Sequence, residues 1–347
     1  MVVSNRLRWW WAATGVLAVI VAAVAGLAFG PVGLPPAGVA VEVINLLPGV
    51  ELSGGLPERQ AAIVTQIRLP RVVLGLLVGA MLALAGGAYQ GAFRNPLADP
   101  YLLGVAAGAG LGVTVAIALS GGQVTTGLPV TVPVAAFAGA LGAVLLTYLV
   151  GAAGGRDRSP PTLILAGVAV SAFLAALQTY LLQRHIEVIR EVYSWLLGRL
   201  GGATWHDVRL LLPYAIVVSV ILLLLGRELD VLSVGDDEAA SLGLHPQRSR
   251  YLLLAAASLG TAAAVSVSGL IGFVGIIVPH LVRLLVGSSY RLILPLSMLF
   301  GGAFLAIADL AARTVDAPRE VPIGVLTAFL GGPFFILVLR TSKRVAM

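Results

Sequence analysis

The chain reads as long apolar stretches cut by short polar ones. Between Arg8 and Glu42 no residue is charged, and Trp9 to Phe29 is by itself about the 20 residues that cross a bilayer core. A cleaved signal peptide would also begin with basic residues before an apolar run, but no small-x-small end precedes a polar start here. Residues 31–60, with Pro31, Pro35, Pro36, Pro48 and Pro57, are expected to form an extramembrane connection. Pro70 to about Phe93, flanked by Arg71 and Arg94, is the second predicted span. From Pro100 to Gly155 there is no charge, which is too long for one helix; Gly121–Pro133, with Gln123 and Thr125, divides it into spans three and four. Thr162 to Leu182 is the fifth. An amphipathic piece of interfacial character follows, and then a sixth span from Leu210 to Gly226. Tyr251 to Val286 is one long helix or two short ones broken near Ser268, Gly269 and Gly272, and SVSGLIGFVG favours a break. Leu292–Ala311 and Val321–Leu339 bring the count to ten.

Composition removes other classes. Hydrophobic residues make up 59% of the 347 and charged residues 11%, with mean hydropathy +0.99. A soluble domain carries about 25% charged residues, so a soluble enzyme is excluded. The apolar runs do not alternate, which excludes a lipid-facing β-barrel. There is no cysteine, so disulfides and thiolate metal sites are absent. The net charge of +6 is spread over loops, with no basic run for nucleic acid. Placing the N-terminus inside puts a modest majority of Lys and Arg on the cytoplasmic side, along with the C-terminus. The surplus of outer arginines then needs a reason of its own. No P-loop, HExxH or Ser/His/Asp set occurs, so the chain carries no ATP site or catalytic set of its own. The spans hold few ionisable groups, Asp309 being the one candidate for a deeply buried carboxylate. An ion-coupled secondary transporter of small organic solutes, the alternative class, normally shows an intramembrane relay.

Three long motifs carry a resemblance. RNPLADPYLLG (Arg94–Gly104) uses Asn95–Pro96 and Asp99–Pro100 to fix a rigid turn after a span. It lies within a longer match, Leu69–Gly112, and SGLIGFVGIIVPHLVR (Ser268–Arg283) and Ala308–Pro333 follow in order. Together they resemble the permease subunits of type II ABC importers for ferric siderophores, haem and vitamin B12. The resemblance implies an all-α membrane protein of about ten transmembrane helices, residues 1–347 forming one polytopic domain. It resolves the 251–286 ambiguity as two spans separated near Gly269. It further implies a multi-pass protein of the bacterial inner membrane that carries an iron chelate, with a siderophore expected first, haem second and cobalamin third. Implied partners are an ATP-binding cassette dimer holding ATP and Mg, an extracytoplasmic binding protein, a second permease copy and membrane lipids. The chain itself binds no cofactor and acts as a transport subunit, not an enzyme.

Site residues follow from local physics and the same resemblance. In VGDDEAASLGLHP, Asp236, Asp237 and Glu238 sit where anions favour a helix start, Ala239, Ser241 and Leu242 continue it, and Gly243 ends it before Leu244 and Pro246. The 227–250 loop therefore predicts a short cytoplasmic helix, which by resemblance couples to the ATPase; a solvated acidic loop is the plain alternative. A prenyl-transferase aspartate motif would need a second acidic cluster, and none exists. Arg68 and Arg71, three apart around Pro70, are expected to project to one side, with Arg313 on the same surface. By resemblance these three receive acidic residues of the binding protein; lipid-headgroup anchoring is the competing role. Ser159, Pro160, Pro161 and Thr162, at the start of span five, are the implied cytoplasmic gate. His280 and Arg283, one helical turn apart, are expected to have structural roles.

Overall fold

The computed structural model describes residues 9–46, 49–50, 52–53, 55–120, 131–153 and 160–342. These form α1 (Trp9–Ala28), α2 (Pro36–Ile44) and α3 (Glu58–Ala62), the last running through a π-turn at Ile63–Arg68 into α4 (Leu69–Ala92). A 3-10 turn, Pro100–Leu103, leads to α5 (Val105–Leu119), α6 (Thr131–Ala153), α7 (Pro160–Arg184), α8 (Ile189–Leu196) and α9 (Trp205–Leu224). Then come α10 (Gly226–Leu232), α11 (Asp236–Ser241), α12 (Pro246–Ser268), α13 (Val274–Val286), α14 (Tyr290–Ala312) and α15 (Ile323–Ser342). Among the described residues, seven helices are long and apolar enough to cross a membrane, and α5, α13 and the apolar part of α15 are shorter. Long and short together occupy the ten expected positions.

The shortest of these shows what the sequence understated. The 13 residues of α13 span about 20 Å, less than a bilayer core. The predicted break is real: α12 stops at Ser268, Gly269 takes φ +70°, and Phe273 takes φ +68° before α13 begins. Non-helical backbone at such depth is tolerated only where protein covers it. Tyr101 supplies that cover, its hydroxyl donating to the Ile271 carbonyl at 3.0 Å and accepting from the Ile271 amide at 3.2 Å. The rigid turn predicted at Arg94–Gly104 thus exists to deliver Tyr101. Within it, Asn95 accepts from the Leu97 amide and Asp99 from the Tyr101 amide.

The centre of the bundle is α4, buried along nearly its whole length and packed on α9, α12, α13 and α14. Contact with α13 is closest. A Cβ placed on Gly86 would lie 1.9 Å from the Gly275 carbonyl oxygen, so two backbones meet without a side chain between them. Small residues permit such approach where lipid supplies no hydrophobic drive between helices. Neighbouring Gln90 completes the joint. Pro279 has no N–H to donate to the Gly275 carbonyl four residues earlier, and the Gln90 amide donates there at 3.2 Å instead. Tyr89 and Ser258 bond at 2.6 Å on the α12 side. By contrast α1, α7 and α9 leave large apolar side chains exposed, as lipid-facing helices do.

Gly86→Ala is therefore expected to cost about 1–3 kcal/mol or more, because backbone must move to admit one methyl. Gly142→Ala, whose added Cβ meets nothing within 4 Å, is expected to be neutral or to stabilise by up to about 1 kcal/mol. Denaturant titration of the purified chain in detergent measures both.

Candidate functional site

Chemistry-bearing residues gather at the two ends of α4. At its C-terminal end sits the loop between α10 and α12. The short helix predicted there is α11, with Gly243 at φ +84° ending it and Pro246 opening α12. Asp236 accepts from Arg250 at 2.7 Å and pairs with Arg94 at 2.9 Å. The Arg250 hydrogen bond holds the Asp236 carboxyl below its ordinary pKa, against the opposing effect of partial burial. Arg250 itself is 2% exposed and donates through Nε to the Ala92 carbonyl at 2.9 Å, the last residue of α4. The loop is thus bonded to the central helix.

A second anchor lies beside it. Asp230 on α10 accepts from the Tyr290 amide, from Ser289 Oγ at 2.9 Å and from Arg291 Nε at 3.1 Å, so a carboxylate caps the start of α14. Of the eight residues expected to couple, Asp236 and the buried Ala239 hold the loop in place, and Leu244 packs against the core. Asp237, Glu238, Ser241, Leu242 and Gly243 face outward, and Val234 and Leu242 are about two-thirds exposed. Asp230 and Arg250 carry no signal of these roles in the sequence, and Arg94 reads there only as the flank of a span and the start of a turn. The 60-residue separation of Asp230 from Tyr290 leaves no local signal.

At the other end of α4 the arginines are not where the sequence puts them. Arg68, Arg71 and Arg313 are 3%, 6% and 2% exposed, and all three guanidinium groups are engaged inside the fold. Arg68 donates to the carbonyls of Leu27 at 2.7 Å, Ala28 at 3.1 Å and Val32, satisfying the C-terminal end of α1. Arg71 is gripped by two carboxylates: Asp309 at 2.9–3.1 Å and Glu320 at 2.8 and 3.0 Å. Arg313 donates to the Gly26 carbonyl at 2.5 Å and lies 3.7 Å from Asp309. The expected common projection of Arg68 and Arg71 fails because the π-turn ends at Arg68, and each side chain meets a partner far away in sequence. Asp309 is buried as anticipated, but as the partner of two arginines and not as a free carboxylate.

Of the implied gate, Ser159 lies outside the described residues. Pro160 begins α7, Pro161 is exposed and Thr162 is half-buried. From there α7 packs on α5 and α6 and presents Leu165, Val168, Phe173 and Tyr180 outward. Arg283 bonds two side chains, Tyr290 Oη at 2.7 Å and Gln90 at 3.4 Å. His280 sits edge-on to Phe334.

A bundle built on one central helix, with a half-length helix at its waist and a bonded loop at one end, can be compared with known proteins. The sequence profile of the FecCD transport family matches residues 16–341. The chain belongs to this family. It is 47% identical to the cobalamin import system permease protein BtuC of Halobacterium salinarum, over 84% of this chain and 77% of that one. It is 38% identical to the hemin transport system permease protein HmuU of Yersinia pestis, over 80% of this chain and 83% of that one. It is equally 38% identical to the Fe(3+) dicitrate transport system permease protein FecD of Escherichia coli, over 80% of this chain and 85% of that one. A metal-chelate type ABC transporter solved in an inward-facing conformation superimposes with a TM-score of 0.81 at 30% identity, covering 95% of this chain and 98% of that one.

In this FecCD-family transport subunit the Arg71–Asp309 pair joins α4 to α14 below the surface. Removing one partner strands a charge, so Asp309→Ala is expected to cost about 3–5 kcal/mol, while Arg71→Met with Asp309→Leu costs much less. Glu320, whose side chain is 42% exposed, is expected to contribute about 0–1 kcal/mol when changed to Gln. A double-mutant cycle on unfolding in detergent checks the ranking.

Proposed function

We propose that this chain forms the membrane pathway of an ATP-driven importer of metal chelates, with a ferric siderophore the first choice of cargo, haem the second and cobalamin the third. Relatives named for ferric dicitrate, hemin and cobalamin import support that range. The chain binds no ATP or Mg itself; both belong to a separate ATP-binding cassette dimer. The pathway is completed by a second permease copy, homodimeric in the simplest case, in the bacterial inner membrane with both chain termini cytoplasmic. Ser159, Pro160, Pro161 and Thr162 form its cytoplasmic constriction.

One observation carries this reading: Val234 and Leu242, which flank α11, are open to a partner while Asp236 is bonded through Arg250 to the end of α4. A short surface helix with an acidic outward face, an exposed apolar residue beyond each end and a rigid tie inward suits a groove in a moving partner. Fully burying one leucine is worth about 1.5–3 kcal/mol, enough to matter at a coupling contact. On the opposite rim the binding protein docks by complementary charge. With Arg68, Arg71 and Arg313 paired internally, they shape and charge that rim from beneath, and among the described residues the exposed cations assigned to that side are Arg59, Arg184, Arg190, Arg209 and Arg319. Charge at such a rim acts chiefly on association rate and orientation. An ion-coupled carrier is disfavoured because Asp309 is tied to Arg71 by three hydrogen bonds and, among the described residues, no other buried carboxylate lies in the spans to form a relay.

The test is reconstitution in liposomes with an ATPase and a binding protein, following radiolabelled ferric chelate. Uptake is expected to require ATP and the binding protein and to survive collapse of ion gradients. Leu242→Asp is expected to weaken ATPase association about tenfold or more while membrane insertion stays normal. Gly243→Pro is expected to uncouple as well, since proline cannot adopt φ +84°. Uptake by the permease alone, driven by an ion gradient, would overturn the proposal.

A further inference from the structure

Between α8, the loop at residues 197–201 and the segment at residues 320–323 lies a cavity of about 430 Å³. Its size is that of a small-ligand site. Arg71, Arg190 and Arg199 line it together with Asp309 and Glu320. Glu320 is spent on Arg71, and Asp309 is shared between Arg71 and Arg313. Among the described residues no hydrogen bond or ion pair engages the guanidinium of Arg190 or of Arg199. Neither carboxylate reaches Arg190 or Arg199, so the cavity lining is net positive. Arg199 is half-buried outside the spans, and its pKa is lowered, chiefly by desolvation, with Asp207 acting only weakly in the other direction. An anion beside it would relieve that desolvation. The remaining walls are largely apolar, Tyr193, Leu197, Leu200, Val321, Pro322 and Ile323. Gly201 keeps the floor open: a Cβ there would lie 2.8 Å from Glu320 Oε2.

We propose that this cavity binds an apolar arm of the cargo ending in a single carboxylate, with Arg190 and Arg199 recognising the carboxylate. The planar fork of arginine suits a carboxylate edge, and the Arg71–Asp309 contact shows the same pairing at the cavity's floor. Inorganic phosphate has no apolar part and gains nothing from the apolar walls. The assignment rests on the transport reading above, because it names the cargo chemistry that the outer rim selects.

The probe is benzoate, with benzamide as its uncharged twin and inorganic phosphate as comparator. All are titrated by calorimetry onto the full chain in phosphatidylcholine nanodiscs. Saturable benzoate binding, absent for benzamide and weaker for phosphate, is expected. Arg190→Gln with Arg199→Gln is expected to weaken it about tenfold or more, the loss of charge-assisted hydrogen bonds, and Arg340→Gln to leave it unchanged. The double change to Lys, which keeps the charge and removes the fork, is expected to restore part of the binding and so exclude misfolding. No saturable benzoate binding by the wild type would overturn the proposal. So would equal binding by the double Gln variant, or phosphate binding as tight as benzoate. Phosphatidylserine nanodiscs that block benzoate would assign the carboxylate to a lipid and also overturn it. Loss of binding-protein capture in the Gln variant, with no benzoate binding in the wild type, would give the arginines to protein docking. Benzoate binding in a chain that imports no chelate would retire the transport reading and leave the cavity's chemistry standing.

Discussion

The backbone contact between Gly86 and Gly275 is the constraint on which the rest of the molecule depends. It lets a half-length helix lean on the middle of α4, and a half-length helix leaves unpaired backbone at membrane depth. Gln90 and Tyr101 are there to satisfy that backbone, and the turn Arg94–Gly104 is shaped to deliver the tyrosine. With α13 seated, α9, α12 and α14 close around the remaining faces. What results is a buried strut with a bonded structure at each end.

Both ends use charge in the way that burial demands. A buried cation is tolerated only when paired and hydrogen-bonded. Arg71 meets two carboxylates, Arg250 meets a carboxylate and a helix-end carbonyl, and Arg68 takes three carbonyls. Such arrangements add little net stability compared with apolar packing, but they fix one geometry strongly. At one end that geometry sets the angle of α11. At the other it sets the floor of a cavity whose remaining two arginines are uncommitted.

Much of this was legible in the sequence. Apolar run lengths located the spans, because a bilayer enforces one length on every crossing helix. Acids before Ala239 and glycine after Leu242 located α11, because helix ends obey local rules. The break at Gly269 showed itself as a cluster of glycine and serine. Burial of Arg68, Arg71 and Arg313 was not legible, because their partners lie on α1 or on and beyond α14 and only the assembled bundle brings them together. The same holds for Asp230, whose role as the cap of α14 is set by contacts about 60 residues away. Length alone left the 251–286 region open between one long helix and two short ones, and the short α13 stands.

The Arg250 bonds to Asp236 and to the Ala92 carbonyl imply that α11 and α4 move as one body, so that whatever grips α11 turns the centre of the bundle. A chain without cysteine permits a direct test by paired spin labels in the complex assembled with its ATPase. Asn95 and Ser241 are both exposed, on the turn after α4 and at the end of α11. Labels at Asn95→Cys and Ser241→Cys are expected to hold one distance distribution with and without trapped ATP, while labels at Asn95→Cys and Leu165→Cys, reaching to peripheral α7, change theirs. A shift or broadening of the Asn95–Ser241 distances on ATP trapping would show that the loop swings free of the strut and would contradict the account.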